Sequence, residues 1–337
     1  MRLLRSVALA LALLSACAGQ AAPRPRFALC LTGQLSRLEL ATKISRILEP
    51  NLARGVDVDL FLFLERPRPG RPPRQSRPKL QLGTELYTRF GADELQQFVT
   101  ENTRSAGAGR FRCEARLHSS PEPYRYSKYG DKEPLFPLDD DLTADERFQL
   151  NFAMLAQLRS CMQMVGAAEV RDRAHYDYVV RLRDDSVVFD DWLLRAEVFG
   201  ESITDVQEAS WGAINDHTFV VSRQYADAMF RGPVEDYYLQ NSVTKPVFGT
   251  SEVMLLHVSL AHKVPLNIVP VCDMPLVPLR GLLNATHWRL HPMYASLFLE
   301  GRRASNGTCA TAMLDAGATP IAHPDSAALA FLQRSGR

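Results

Sequence analysis

Two strongly apolar segments with a helical stretch between them constrain the fold of this 337-residue chain more than any other feature. Phe27–Leu31 and Val56–Leu64 are dominated by aliphatic and aromatic residues, as are strands that are buried on both faces of a parallel sheet. Between them, Leu38, Ile44 and Leu48 recur at roughly helical spacing. This order of strand, helix and strand predicts a βαβ unit and therefore an α/β fold.

The rest of the chain continues the same alternation. Thr143 and Glu146 have the spacing of a capping box, which predicts that a helix starts there. Further strands are predicted at Tyr176–Leu182, Trp211, Phe219–Val221 and Leu266–Val269, and further helices at Arg223–Phe230 and Ser251–His262. We therefore expect one domain over 27–300, a Rossmann-like three-layer sandwich with a mostly parallel central sheet, and a loosely ordered tail at 301–337.

The first 21 residues have the pattern of a targeting segment. Arg2 and Arg5 precede the apolar run Val7–Leu14, which is followed by small residues that suit a signal peptidase. A retained membrane anchor is the alternative, but the run is shorter than the ~20 residues of a spanning helix. In a bacterial protein, Cys17 would instead be the acylated residue of a lipoprotein. We expect a signal peptide at 1–21, entry into the secretory pathway and no stable membrane span.

The charge balance narrows the classes of partner. Lys and Arg number 39 and Asp and Glu number 38, so the formal net charge is +1. A chain without an overall positive field is not expected to bind nucleic acid. In a secreted chain, Asn284 and Asn306 begin sequons for N-glycosylation.

Five cysteines remain after the predicted signal peptide, and none of them forms a CxxC pair. This pattern gives no support to zinc knuckles or thioredoxin-like redox motifs, and it allows at most two disulfides of undetermined pairing. Cys30 lies in an apolar strand and Cys161 on the apolar face of a helix. For these two residues we expect buried thiols rather than a disulfide.

Charged residues follow the predicted strands at the positions where α/β sheets bind ligands. After the first strand, Gly33 allows a close approach of the backbone to a ligand, and Arg37 can reach a diphosphate. By itself, this segment is more typical of a plain tight turn than of a ligand-binding loop. We expect Arg37 to share one rim of the sheet with the charged residues that end the Tyr176–Leu182 strand.

That second group of charged residues is the stronger indication of a site, because charges seldom end a buried strand unless something pairs with them. It contains two guanidiniums and two carboxylates, those of Arg181, Arg183, Asp184 and Asp185. Carboxylate oxygens suit Mg²⁺ or Mn²⁺ held between a protein and a nucleotide diphosphate. An internal network of ion pairs is the structural alternative.

Several of these motifs resemble those of glycosyltransferases. The string at 176–186, Tyr-Asp-Tyr-Val-Val-Arg-Leu-Arg-Asp-Asp-Ser, resembles the stretch that ends in the Asp-x-Asp motif of nucleotide-sugar glycosyltransferases with the GT-A fold. Thr32–Leu40, Val58–Phe61, Asn215–Arg223 and Thr250–Glu252 are similar to motifs of uncharacterised plant and algal glycosyltransferase-like proteins. The resemblance extends over roughly residues 27–290 in scattered motifs.

The resemblance implies a GT-A-like sandwich that transfers a sugar from a nucleoside-diphosphate sugar to a hydroxyl of a glycan or protein. It implies donor-binding roles for Gly33, Arg37, Asp59, Arg181 and Arg183, and metal-binding roles for Asp184 and Asp185. Inverting transfer needs a carboxylate that deprotonates the acceptor hydroxyl, and Asp216 is the first candidate. Glu252 is the second candidate, although an acid near a helix start also has a purely structural explanation.

One position departs from the motif. Metal-dependent members carry the first acid of Asp-x-Asp where this chain has Arg183. An arginine can itself neutralise a diphosphate, so the departure weakens the case for Mn²⁺ or Mg²⁺ but not for a sugar nucleotide. The alternative is a secreted carbohydrate-binding protein that keeps a degenerate GT-A fold without catalysis.

Overall fold

The computed structural model describes residues 24–66, 85–103, 107–119, 123–125, 143–206, 213–239, 250–284 and 287–290. The predicted signal peptide, the strand at Trp211, the sequon at Asn306 and the predicted tail lie outside these residues. None of the helices in these ranges combines the length and the apolar character that a membrane crossing requires.

The described residues form strands and helices in alternation. The strands are β1 Arg26–Gln34, β2 Asp57–Arg66, β3 Phe111–Ser119, β4 Tyr178–Arg183, β5 Ser186–Val188, β6 Ile203–Val206, β7 Thr218–Ser222, β8 Leu266–Val269, β9 Leu276–Asn284 and β10 His287–Leu290. The helices are α1 Ala41–Lys43, α2 Glu49–Ala53, α3 Ala92–Thr103, α4 Ala144–Asp172, α5 Ala196–Phe199, α6 Arg223–Leu239 and α7 Ser251–Ala261. A π-helical turn, Ile44–Leu48, joins α1 to α2, and short 3-10 helices span Leu35–Arg37 and Glu85–Arg89.

Seven strands form the central sheet, in the order β3-β2-β1-β4-β7-β6-β8. β1 lies between β2 and β4 and runs parallel to both, which confirms the predicted βαβ unit. β3 is parallel to β2, and β8 is parallel to β6. β7 alone runs antiparallel to both of its neighbours. The sheet is therefore mostly parallel, and a smaller sheet of order β10-β9-β5 lies beside it.

Helices cover both faces of the central sheet. On one face, apolar side chains of β1, β2 and β4 pack with α2, α3 and α5. On the other face, the alternate residues of the same strands pack with α4, α6 and α7. Both cores are apolar because each parallel strand is buried on both sides. The predicted fold class, a Rossmann-like three-layer α/β sandwich, is confirmed.

The sequence predicted the start of α4 correctly and missed β3. Thr143 is the N-cap of α4, its side chain accepts from the Glu146 amide, and the reciprocal bond from Glu146 completes the capping box. In contrast, Phe111–Ser119 alternates apolar residues with Arg112, Glu114 and Arg116. This alternation fits a strand at the sheet edge that is covered on one face only, and it is easily taken for a loop.

The expectation of buried thiols at Cys30 and Cys161 is wrong. The two residues form a disulfide that joins β1 to α4, with their Cα atoms 6.0 Å apart. Both side chains are fully buried, and α4 packs directly on the face of β1 that carries Cys30. Because 131 residues separate the two cysteines, only the packing of the helix on the sheet reveals that they meet. Cys272 is also disulfide-bonded, whereas Cys113 is a buried free cysteine.

We expect the double variant Cys30→Ala/Cys161→Ala to lose roughly 2 to 5 kcal/mol of unfolding free energy, because the disulfide closes a long loop in the unfolded chain. Urea denaturation measures this loss. Cys113→Ala is the matched control, since it removes a buried thiol that is not cross-linked. A double variant no less stable than the control would contradict a stabilising disulfide.

Candidate functional site

The carboxyl ends of β1 and β4 and the amino end of β7 bring charged side chains to one edge of the sheet. Because β7 runs antiparallel to β4, the residues that precede it lie at the edge where β4 ends. Ser251 opens α7 at the same place, and its hydroxyl donates to Asp216 Oδ2 at 2.6 Å. We call this set the carboxyl-edge cluster: Arg37, Arg181, Arg183, Asp184, Asp185, Asp216, His217, Ser251 and Glu252.

Arg37 and Asp184 tie the end of β1 to the end of β4. Arg37 Nε and Nη2 donate to the two carboxylate oxygens of Asp184, each at 3.1 Å. Arg37 Nη1 donates to Asp185 Oδ2 at 3.0 Å, and the Gln34 amide donates to Asp184 Oδ2 at 2.7 Å. The structure thus places Arg37 and Asp185 on the same rim. The fork of a guanidinium on a carboxylate is among the stronger geometries that such pairs adopt.

Gly33 is required by this arrangement. Its φ of +148° lies in a region that side chains with a Cβ rarely adopt. A Cβ at this position would overlap the carboxyl group of Asp184. The absence of a Cβ at Gly33 therefore lets the Asp184 side chain lie against the β1 backbone. That the same backbone also approaches a ligand, as the sequence predicts, remains a proposal.

Arg183 lies between three acceptors. Its Nε is 2.9 Å from Asp185 Oδ1, its Nη1 is 3.0 Å from His217 Nε2, and the same Nη1 is 3.6 Å from Asp216 Oδ1. Burial raises the pKa of Asp185, but Arg183 and Arg37 outweigh it and the net pKa is lowered. Burial and Arg183 lower the pKa of His217 to about 4. At neutral pH Asp185 is therefore ionised and His217 is neutral.

Arg181 is the fully buried cation of the cluster. Its Nη1 donates to Thr32 Oγ1 at 2.6 Å, and its Nε donates to the Asp216 carbonyl at 3.3 Å. Burial and the neighbouring Arg183 lower its pKa to about 10, so the guanidinium stays protonated at neutral pH. Within the described residues, its Nη2 has no hydrogen-bond partner.

Asp216 and Glu252 are neighbouring carboxyl groups whose pKa values shift in opposite directions. Burial raises the pKa of Asp216, but His217, Arg183 and the Ser251 hydroxyl lower it, and the net shift is downward. Burial and the charge of Asp216 raise the pKa of Glu252. Ser251 Oγ also lies 3.2 Å from Glu252 Oε2, so one hydroxyl bridges the two groups. Two carboxyl groups whose pKa values diverge in this way suit a division into base and acid.

A buried ion pair, which the sequence analysis missed, supports the turn of Asp184 and Asp185. Lys43 Nζ donates to the Ser186 carbonyl at 2.6 Å and lies 3.3 Å from Glu39 Oε2. The Glu39 amide donates to the Asp184 carbonyl at 2.9 Å. Burial lowers the pKa of Lys43 despite the nearby Glu39. Lys43 follows a predicted strand within a helical stretch, and nothing in its spacing marks it as buried.

His217 and Ser251 belong to the cluster although the sequence assigned them no role. Both stand in motifs that carry the glycosyltransferase resemblance, and a polar run directly before an apolar strand was the available indication for His217. Their contact with Arg183 and Asp216 depends on the direction of β7, which the sequence pattern does not reveal.

Asp59 lies at the opposite edge of the sheet, which corrects its assignment to a donor site at the carboxyl ends. It pairs in register with Ala28, four residues or about 13 Å before Thr32 on β1. There the Tyr176 hydroxyl donates to Asp59 Oδ2 at 2.6 Å, and Arg112 Nη2 donates to it at 3.0 Å. The reason is that β2 begins at Asp57, so Asp59 stands near its amino end.

The donor set does not fit a divalent metal ion. In the described part of the chain, no group of three or more His, Cys, Asp and Glu side chains is arranged to hold one. The carboxylates of Asp184 and Asp185, predicted as metal ligands, point to the guanidiniums of Arg37 and Arg183. A cation between them would meet two positive charges at close range.

Comparisons with known proteins leave the family open. No protein-family model matches the chain, and no curated protein matches it. Among solved structures, it is similar to a nucleoside-diphosphate-sugar pyrophosphorylase from Vibrio cholerae RC9, with 7% sequence identity and a TM-score of 0.40. That similarity covers 80% of this chain and 98% of the other. A likeness so distant carries no argument about activity, and the similarity to plant and algal proteins does not emerge from these comparisons.

We expect Gly33→Ala to lower the free energy of unfolding by roughly 1 to 3 kcal/mol, because the added Cβ overlaps Asp184 and overpacks the turn. Gly166→Ala is the matched control: the same methyl group in α4 meets no atom within 4 Å. The control should be neutral or more stable by about 0.5 to 1 kcal/mol. Equal urea midpoints for the two variants would contradict the close approach at Gly33.

Proposed function

We propose that this chain transfers a sugar from a nucleoside-diphosphate sugar to a hydroxyl group of a glycan or protein. The observation that carries the proposal is the arrangement of two partly exposed guanidiniums beside an ionised carboxylate at the carboxyl edge of the sheet. Arg37 is 18% exposed and Arg183 is 22% exposed, and Asp216 is the carboxylate. Arg183 belongs to the motif that resembles GT-A glycosyltransferases, and Arg37 and Asp216 belong to motifs that resemble glycosyltransferase-like proteins.

In this proposal, Arg37 and Arg183 bind the diphosphate of the donor and stabilise its charge as the sugar leaves. Guanidiniums donate paired hydrogen bonds to phosphate oxygens and keep their charge at every physiological pH. Arg183 stands where metal-dependent relatives of the motif carry an acid, so a fixed positive charge replaces the one a metal would supply. Arg181 adds a third positive charge from the interior.

Asp216 acts as the general base in this scheme, because its lowered pKa keeps it ionised and able to accept the proton of the acceptor hydroxyl. Glu252 is the second carboxyl group of the site, and its raised pKa means that it keeps its proton to a higher pH than a free glutamate does. The Ser251 hydroxyl bridges the two side chains and holds them in place.

The proposed location of this activity is the secretory pathway, on the basis of the signal-peptide pattern in the first 21 residues. The Cys30–Cys161 disulfide supports that location, because structural disulfides persist in oxidising compartments.

A non-catalytic carbohydrate-binding protein is the second candidate, and one observation favours it. The carboxylates of Asp184 and Asp185 are both paired with guanidiniums inside the protein. Such a network also stabilises a fold that has lost its activity. The two candidates differ in whether the guanidiniums bind a nucleotide diphosphate.

We expect nucleoside diphosphates to bind in EDTA with the same affinity as in Mn²⁺, because the positive charge belongs to the protein. Arg183→Ala should weaken binding about 10- to 100-fold, the range for a lost charge-assisted hydrogen bond. Isothermal titration calorimetry against UDP and GDP measures this. Arg195→Ala is the matched control, since Arg195 is a partly exposed arginine paired with Asp273 outside the cluster.

Arg183→Asp should make nucleotide binding respond to Mn²⁺, because it restores an oxygen ligand and removes the opposing charge. Wild-type binding that EDTA abolishes would overturn the role of Arg183. Binding of glycans without binding of any nucleotide sugar would favour the carbohydrate-binding alternative.

Asp216→Asn should leave nucleotide affinity within a few-fold of the wild type and slow sugar transfer by about 10²- to 10⁴-fold, as expected for a lost general base. The release of nucleoside diphosphate from a panel of nucleotide sugars with glycan acceptors measures the transfer. Asp191→Asn, at an exposed carboxylate paired with Arg46, is the control. Full activity of Asp216→Asn would exclude this residue as the base.

A further inference from the structure

Asp205 is a fully buried carboxyl group at the end of β6, next to the segment that carries Asp216. Its Oδ1 accepts from the Val206 amide at 2.7 Å, and its Oδ2 accepts from the Asn215 amide at 2.8 Å. One side chain therefore bridges the end of β6 and the start of the segment that leads into β7. No role was assigned to this residue from the sequence.

The bond to Asn215 reaches the carboxyl-edge cluster in two steps. The side-chain oxygen of Asn215 accepts from the His217 amide at 2.9 Å. Asp216 lies between Asn215 and His217 in the sequence, and its Oδ1 is 3.6 Å from Arg183 Nη1. The Nε2 atom of His217 is 3.0 Å from the same Arg183 nitrogen. The position of these two side chains against Arg183 thus depends on a backbone that Asp205 and Asn215 hold.

The charged surroundings of Asp205 oppose its ionisation. β7 and β8, the strands beside β6, contain no charged residue, and among the residues that the structure describes Asp216 is the charged group that acts on Asp205. Burial and the negative charge of Asp216 raise its pKa to about 7, although the two amide bonds lower it. Ionised Asp205 accepts from both amides, whereas the protonated group has one full acceptor and one weaker hydroxyl oxygen.

The raised pKa means that ionised Asp205 costs stability. An aspartate that ionises near pH 4 in the unfolded chain and near pH 7 in the folded chain favours folding below pH 4. That contribution is lost as the pH rises towards 7. Asparagine at this position would avoid the buried charge, but it would accept from only one of the two amides.

We propose that Asp205 is a positioning residue whose ionised carboxylate holds the Asn215–Asp216–His217 segment against Arg183. The inference deepens the proposed function, because it makes the arrangement of the proposed base depend on a second carboxylate. The effect of Asp205 on this segment is a property of the free protein and is measurable without any substrate.

NMR of protein with ¹⁵N-labelled asparagine and histidine, recorded between pH 5.5 and 8.5, tests whether ionised Asp205 holds this segment in place. In the wild type, the Asn215 amide and the His217 ring shift together with a midpoint near pH 7, the amide proton moving downfield as Asp205 ionises. In Asp205→Asn, both signals are flat over this range. Asp177→Asn is the matched control, because it removes an exposed carboxylate that accepts a single backbone amide, that of Arg26.

Thermal unfolding separates positioning from a structural role. The melting temperature of Asp205→Asn relative to the wild type should increase from pH 5 to pH 8, because the variant lacks the buried charge. With UDP as the probe, the ratio of wild-type affinity to variant affinity should increase several-fold from pH 6 to pH 8. The ratio is the readout because the terminal phosphate of UDP also ionises in this range and affects both proteins alike.

Different results overturn the two proposals. A wild-type Asn215 amide without a titration near pH 7, or the same titration in Asp205→Asn, overturns the role of Asp205. The wild-type measurement decides this even where the variant does not fold. A ratio of wild-type to variant UDP affinity that is equal at pH 6 and pH 8 also counts against positioning. Absence of UDP binding at both pH values counts against the proposed function, while the NMR titration still decides on Asp205.

Discussion

The buried guanidinium of Arg181 is the constraint around which the carboxyl edge of this protein is built. A protonated group in the interior is costly unless acceptors and opposite charges surround it. Here Thr32 of β1 and the Asp216 carbonyl before β7 accept its protons, so three adjacent strands meet at one side chain. The nearby carboxylates of Asp184, Asp185 and Asp216 offset its charge. The cluster therefore forms as part of the core.

The outer part of the cluster also pairs guanidiniums with carboxylates, but its arginines are partly exposed. Arg37 and Arg183 each contact Asp185, and Arg37 also holds Asp184 against the backbone at Gly33. Guanidiniums lie between these carboxylates, so the positive charge at this edge of the sheet belongs to the protein itself. In the proposed function, the phosphate oxygens of the donor bind cations that are already oriented. Such preorganised positive charge is the usual means of stabilising a charged leaving group.

Stability and the proposed activity favour different side chains at Asp205. Burial and the charge of Asp216 make its ionisation unfavourable, yet its two hydrogen bonds join it to the segment of Asp216. The Cys30–Cys161 disulfide acts in the opposite direction, whereas burial of the Glu39–Lys43 pair lowers the pKa of Lys43 and so also opposes the charged form. The disulfide joins β1 to α4, and the pair supports the turn of Asp184. The same fold thus contains a stabilising cross-link and a buried carboxyl group whose ionisation costs stability.

The sequence by itself determined the α/β class, the βαβ opening, the start of α4 and most of the charged residues of the site, because apolar runs, a capping box and charges at strand ends are local patterns. It did not determine that β7 runs antiparallel, and that direction alone brings Asp216 and His217 to Arg183. It placed Asp59 with the cluster, although register puts this residue at the other edge. It also missed the Cys30–Cys161 disulfide and the buried Lys43. Each of these depends on which residues distant in the chain become neighbours, and only the packed structure decides that.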